Sequence, residues 1–502
     1  MRKADLPKPC RAFGLHVSRL RAVKREDKDE PRSGRGPAGR AAARSTAALM
    51  VLFTLGPALP RQEKGPDGYR MVTERVRQAG LESEGAYEFL RRITEIGPRL
   101  TGSSGAAAAV ELTRRMMTDL GLSNVHLEAV VVGRWERGAE ERASVAAAGA
   151  AGPVSLSVCA LGGSVRTPPS GLTAPVIEVE SFAKLARLGP AARGKIVFFN
   201  RPMDRRMTDP FAAYGAAADQ RVLGAVEAAR AGAVAALVRS LTFRVDKHPH
   251  TGLMTYAPDV PKIPAAAVAT ADADLLSALL ETGGPVVVRL EMSCGTFGTA
   301  TSANVVGEIT GAERPGEIVL VGGHLDSWDL GTGAHDDGAG CAATLEALRL
   351  IKGLGLKPRR TIRAVMFMDE EFGGTGGRFY AEDERRRGER HIVAMESDRG
   401  GFLPVGIAAG GADAGALRKI RAWQGLLEPL GISWIGPGGG GVDVGPLIQR
   451  GTVPVSVIPN AQTYFDVHHS GLDVLSAVNP RELEFQAVIL AALAYVLAQE
   501  GV

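Results

Sequence analysis

The stretch VGGHLDSWDLGTGAHDDGA, residues 321–339, sets His324, Asp326, Asp329, His335, Asp336 and Asp337 directly after an apolar run. Burying imidazoles and carboxylates together is costly unless a strong partner compensates, and a divalent cation is such a partner. Three later stretches repeat the pattern. MFMDEEFGG supplies Asp369, Glu370 and Glu371, HIVAMESDRGG supplies Glu396 and Asp398, and TYFDVHHSGLD supplies His468, His469 and Asp473. Singly, each has a bland explanation: an exposed H-x-D pair, a D-D-G helix cap, a solvated E-E face. Together they point to a metal held by imidazole nitrogen and carboxylate oxygen without sulfur. Zinc suits that set best, with cobalt and manganese as alternatives. The surplus of carboxylates over histidines points to two ions, one aspartate bridging a pair about 3.5–4 Å apart. In an E-E pair, one carboxylate can face the metal while its neighbour serves as general base on the attacking water.

Residues so scattered need a scaffold that brings them together. EIVLVGG, TIRAVMFM, HIVAMES and VPVSVIP read as strands, and GCAATLEALRLIKGLG and PRELEFQAVILAALAYVLAQ as helices. Such alternation predicts an α/β fold, a mixed, mostly parallel central sheet flanked by helices. Open sheets of this kind place their sites at the carboxyl ends of strands, where the polar residues gather here. Upstream, MVTERVRQAG, GAYEFLRRITEIG and AAAAVELTRRMMTDLGL have helical spacing, and VHLEAVVVGRWERG reads as a strand with a turn. From about 145 to 290 the texture changes to short Val/Ala/Gly-rich strands and small helices, which marks a smaller inserted domain. The expected organisation is a basic head with a signal-like segment over 1–65, a catalytic domain from 66–144 and 291–502, and the insertion at 145–290.

Charge is uneven. Residues 1–45 carry 13 Lys/Arg against 5 Asp/Glu, leaving 46 basic and 50 acidic side chains in the remainder. The body is therefore mildly acidic, which argues against nucleic-acid binding. STAALMVLFTLGPALP, residues 45–60, is too short an apolar run for a comfortable membrane span and resembles a secretory signal. Export is expected, with an uncleaved anchor as the alternative. Cys10, Cys159, Cys294 and Cys341 offer neither a disulfide framework nor a C-x-x-C metal site. His248 and His250 are expected in a loop of the insertion, GPGGGG (436–441) as a flexible loop without a P-loop lysine, and ERRRGER (384–390) as a solvated face.

As a set, GGHLDSWDLGTGAHDDGAG, MFMDEEFGGTGG, MESDRGG and YFDVHHSGLD resemble, in order and spacing, the M28 family of co-catalytic zinc metallopeptidases. ITEIGPRLTGS, VVGRWERG and HPHTGLMTY look like one branch of it, so the likeness spans roughly 70–500. The resemblance implies a zinc-peptidase fold with a protease-associated-like insertion that partly covers the site. It implies two zinc ions per subunit, with His324, Asp336, Glu371, Asp398 and His469 as ligands and Asp336 as the bridge. Glu370 matches the general base, and Asp326 the aspartate that orients the histidine ligand. His469 is preferred to His468 because the family places its ligand four residues before an aspartate, here Asp473. The implied reaction is hydrolysis of dipeptides or short peptides. The alternatives are an aminopeptidase acting on longer peptides and a binding-only relative, the latter disfavoured because every ligand and Glu370 are present. A homodimer is implied by the resemblance alone. Three positions depart from the family: His335, expected as a loop histidine; Asp369, which either raises the basicity of Glu370 or faces outward; and Val474 in place of a common Thr.

Overall fold

Apolar runs become strands, and the structure, a computed structural model describing residues 66–147 and 152–502, arranges them in two eight-stranded sheets. The basic head, the signal-like segment and Cys10 lie outside the described residues. The first sheet contains β1 (Ser123–Glu136), β2 (Gly295–Ile309), β3 (Arg314–His324), β4 (Arg360–Phe367), β5 (Arg390–Glu396), β6 (Pro404–Gly410), β7 (Trp434–Gly438) and β8 (Val453–Pro459). Their order is β1-β2-β4-β3-β5-β8-β6-β7. The central strands β4, β3, β5 and β8 run parallel to one another. β1 and β2 add antiparallel strands on one side, and β6 pairs antiparallel to β8 on the other. This is the mixed, mostly parallel sheet expected.

Central strands covered on both faces need apolar residues throughout, and every residue of β4 is buried. The edge strand β1 instead alternates buried and exposed positions along its middle. Helices α1 (Pro66–Leu81), α2 (Gly85–Thr94), α3 (Ser104–Asp119), α4 (Ala339–Gly353) and α5 (Pro480–Glu500) pack with this sheet around one apolar core. By length and composition α5 could cross a membrane, yet 89% of its apolar window is buried inside the protein. It is a core helix, packed on α4 and α1. Its Glu484 accepts from the backbone N–H of Ala86 at 2.7 Å, satisfying a donor that the first turn of α2 leaves free.

The second sheet is built from strands between Glu141 and Met292, with apolar layers on both faces. One of those layers includes Trp135 and Leu100 from the chain ahead of the sheet and Trp328 from the loop after β3, so the two sheets meet beside that loop. Arg137 reinforces the junction. Its guanidinium reaches Asp329 at 2.6 Å, Glu141 at 2.8 Å and the Ala160 carbonyl at 2.8 Å.

Two expectations change. Gly436–Gly438 of the GPGGGG run belong to β7, because β6 offers a free backbone edge to which they pair in parallel register. In ERRRGER, Arg386 turns inward: it pairs with Glu128 and lies 4.0 Å from the Tyr380 ring centroid. Arg385 and Arg387 remain exposed.

The loop after β3 is fastened by Arg99, which is fully buried. Nε donates to Leu325 O at 2.7 Å, Nη1 to Thr332 O at 2.5 Å and Nη2 to Gly333 O at 2.9 Å. Arg99→Met leaves three buried carbonyls without these donors and is expected to cost at least ~3 kcal/mol. A urea titration checks this, and an unchanged midpoint would show that those carbonyls find other donors.

Candidate active site

Four parallel strands deliver the site from their carboxyl ends. His324 closes β3, Asp369–Glu371 follow β4, Asp398 follows β5, and the 464–473 segment follows β8. Asp336 arrives from the turn Ala334–Gly338 that leads into α4, and its peptide bond to Asp337 is cis. The Asp336 carboxylate stands at the centre. Oδ1 is 3.2 Å from His324 Nε2, which in turn lies 3.6 Å from Asp398 Oδ1. Oδ2 is 3.1 Å from His469 Nε2, which lies 3.1 Å from Glu371 Oε2. All five residues expected as metal ligands are brought together. Potential donor atoms of His324, Asp336 and Asp398 form one group within 4.8 Å of one another, and those of Asp336, His468 and His469 form another.

The surrounding bonds fix which imidazole nitrogen faces inward. His324 Nδ1 donates to the Asp326 main-chain carbonyl at 3.1 Å, leaving Nε2 toward Asp336. The Asp326 side chain, expected to orient this histidine, has its Oδ1 3.9 Å from that nitrogen. The carboxylate instead accepts from the amides of Asp369 at 2.8 Å and Glu370 at 3.3 Å, so it positions the E-E turn. His469 Nδ1 points at Thr251 O, 3.4 Å away, while Thr251 N donates to His469 O at 2.9 Å. That grip favours His469 over His468, whose Nε2 sits 3.5 Å from Asp336 and whose ring stacks on that of His469. His469 and Asp369 both take positive φ, 59° and 75°, a left-handed conformation costing about 1–3 kcal/mol each for non-glycine residues.

Two further aspartates hold the Asp336 turn. Asp337 accepts from Gly340 N at 2.9 Å at the start of α4 and from His324 N at 3.1 Å. Asp473 accepts from His335 N at 2.7 Å and Asp336 N at 3.1 Å. Burial and the nearby Asp336 push the Asp473 carboxyl up to about 7 despite those amides.

The electrostatics are those of carboxylates paired with imidazoles. Burial alone would raise Asp336, but His324 and His469 hold it well below the ordinary carboxylate range. Burial would lower both imidazoles. Asp336 and Asp398 nevertheless raise His324 well above its usual value, and Glu371 and Asp336 do the same for His469. Glu370 is raised well above its ordinary value by burial and by Asp398, Glu371 and Asp443, against the pull of His324. Asp369 is buried, with its own carboxyl raised to about 6 by burial and by Asp326.

Asp336 Oδ2 and Glu371 Oε1 are buried without a hydrogen-bond donor. Beside them, a cavity of about 10 Å³ is bordered by Trp328, Asp336, His469 and Asp473. Unsatisfied buried oxygens facing imidazole nitrogens fit a divalent cation of the zinc type.

His335 is not a solvated loop histidine. It is buried and stacks on Phe402 with ring centroids 4.4 Å apart. Nε2 donates to Ala477 O at 3.1 Å, and Nδ1 accepts from Gly401 N at 3.1 Å. Burial lowers it to about 4, which keeps it neutral. His250 is buried too, with Nδ1 2.6 Å from the His468 carbonyl, while His248 is exposed. Trp328, inside the HLDSWD motif, carries no expected role, yet its indole N–H donates to Glu371 Oε2 at 2.5 Å. Asp443 has two oxygens buried without donors near Glu396, and nothing in GVDVG marks it.

Site and fold together define a metal-dependent peptidase. A solved zinc aminopeptidase from Bacillus subtilis shares the fold, with a TM-score of 0.59 at 21% identity over 83% of this chain and 96% of that one. The model of peptidase family M28 matches residues 304–494. Carboxypeptidase Q of Bos taurus is 39% identical over 420 residues, 84% of this chain and 86% of the relative. The crystal structure of a peptidase M28 precursor from Shewanella amazonensis superposes with a TM-score of 0.83 at 37% identity, covering 87% of this chain and 98% of that one. The chain belongs to peptidase family M28 and is a metallopeptidase.

Trp328 reaches Glu371 by packing on bare backbone. A Cβ built on Gly162 would lie 1.9 Å from the indole. Gly162→Ala is therefore expected to displace Trp328 and cost about 1–3 kcal/mol. Tryptophan fluorescence and thermal melting check this, and an unshifted spectrum with an unchanged melt would contradict the packing described.

Proposed function

We propose that the chain is a zinc-dependent exopeptidase that hydrolyses dipeptides or short peptides. The observation that supports this most is the Asp336 carboxylate, with one oxygen turned to His324 and the other to His469. In this reading His324 and Asp398 would hold one zinc ion and Glu371 and His469 a second, with the Asp336 carboxylate available to both. When bound there, zinc lowers the pKa of water and polarises a scissile carbonyl. Glu370 removes the proton of the attacking water and later delivers it to the leaving amine. Its raised affinity for protons suits both transfers. Asp326, through the Asp369 and Glu370 amides, sets the backbone from which that carboxylate projects.

The second sheet is read as the inserted protease-associated-like domain over 145–290, covering one side of the site through Thr251 and His250. A partly covered site favours short substrates with free termini. Residues 45–60 are read as an export signal, which places the enzyme outside the cytoplasm.

Three outcomes are expected. Glu370→Gln lowers kcat by about 10²–10⁴-fold while bound zinc, measured by atomic emission, stays at the parent level. Loss of the metal together with activity would instead make Glu370 a ligand. Dipeptides are cleaved by the zinc-loaded protein and not after chelation, whereas efficient release of N-terminal residues from long peptides would favour an aminopeptidase. Finally, because neighbouring carboxylates raise the proton affinity of His324 and His469, zinc would compete with protons for these nitrogens. Uptake at pH 7 therefore releases protons, and affinity rises with pH. Calorimetry in buffers of different ionisation enthalpy measures this, and a buffer-independent heat would refute it.

A further inference from the structure

The arginines that fasten the loop after β3 are paired: Arg99 with three carbonyls and Arg137 with Asp329 and Glu141. Arg399 differs. It follows Asp398 directly, is half-buried, and among the described residues makes neither a hydrogen bond nor an ion pair. Its recorded partner is the Phe211 ring, 4.4 Å from the guanidinium carbon. Phe211 in turn stacks on Tyr464, with centroids 5.3 Å apart. A solvated surface arginine would sample many rotamers; this one rests on an anchored ring. Stacking covers one face of the guanidinium and leaves its N–H edge able to donate.

Arg399 borders a cavity of about 440 Å³. Its other walls include Gly439, Gly440 and Gly441 and the apolar Ile448 and Ile458. The glycine wall cannot carry side chains: a Cβ on Gly441 would lie 2.2 Å from the Glu396 carboxyl carbon. An open space of this size, bare on one side, apolar on another and bordered by a cation without a carboxylate partner, has the character of a pocket for one amino-acid residue with a negative group.

We propose that Arg399 pairs with a carboxylate of the substrate in this cavity and is a specificity-determining residue. The inference rests on the exopeptidase reading and deepens it by naming the group recognised. A carboxylate can come from the free C-terminus of a dipeptide or from an acidic side chain. In both cases the planar guanidinium meets it through paired N–H donors.

The test uses the full zinc-loaded chain with Leu-Leu, Leu-Leu-amide, Leu-Glu-amide and Leu-Gln-amide. The parent is expected to favour the free acid over the amide, or the Glu substrate over the Gln one. The first preference identifies the terminal carboxylate, the second the side chain. Arg399→Gln is expected to reduce that preference by about 10–100-fold, mainly through KM, the range of a hydrogen bond to a charged group. Arg399→Lys recovers part of it, which a merely structural defect would not allow. If the parent cleaves these substrates and Arg399→Gln leaves both ratios as they were, the inference is overturned alone. If the parent cleaves none of them, the exopeptidase reading falls and the inference falls with it.

Discussion

The mutual repulsion of buried carboxylates governs this structure. Asp326, Asp336, Asp337, Glu371, Glu396, Asp443 and Asp473 are all buried around one point. Ionised carboxyl groups cannot leave water without donors or counter-charges. Asp337, Asp473 and Asp326 are each met by two backbone amides; those on Asp473 and Asp326 belong to the turns that carry Asp336 and Glu370, and those on Asp337 to His324 at the end of β3 and Gly340 in α4. Satisfying the supporting carboxylates and aiming the central ones are thus the same act. The positive φ of Asp369 and His469 is a further cost, sustained by bonds on either side of them.

Much of this was legible in the sequence, for identifiable reasons. Parallel strands buried on both faces are rich in apolar residues, so β3, β4, β5 and β8 stood out despite the arginines within β4, as did the acids at their ends. Imidazoles and carboxylates following apolar runs are conspicuous, and it was the family resemblance that singled out from them the five residues that cluster here. What stayed hidden depends on contacts between distant residues. Arg99 lies 226 positions from one of the carbonyls it holds, and no local pattern marks an arginine whose acceptors are all main chain. His335 looked like a loop residue because its burial comes from Phe402 and Ala477, far along the chain. For Asp326, the sequence does not tell which of its carbonyl or carboxylate oxygens a neighbouring imidazole meets; here Nδ1 of His324 lies 3.1 Å from the carbonyl and 3.9 Å from the carboxylate.

The same long-range ties separate what recognition sees from what the enzyme needs. The family model covers 304–494, which contains every proposed ligand. Yet the His469 backbone is gripped by Thr251, the Glu371 carboxylate receives a tryptophan seated on Gly162, and the loop after β3 hangs from Arg99. None of Arg99, Gly162 and Thr251 lies in the matched stretch. The donors form a transferable signature, while their alignment belongs to the whole described chain. Moving the recognisable segment alone into another protein would carry the vocabulary of the site without its grammar, because the contacts that align it come from outside the segment.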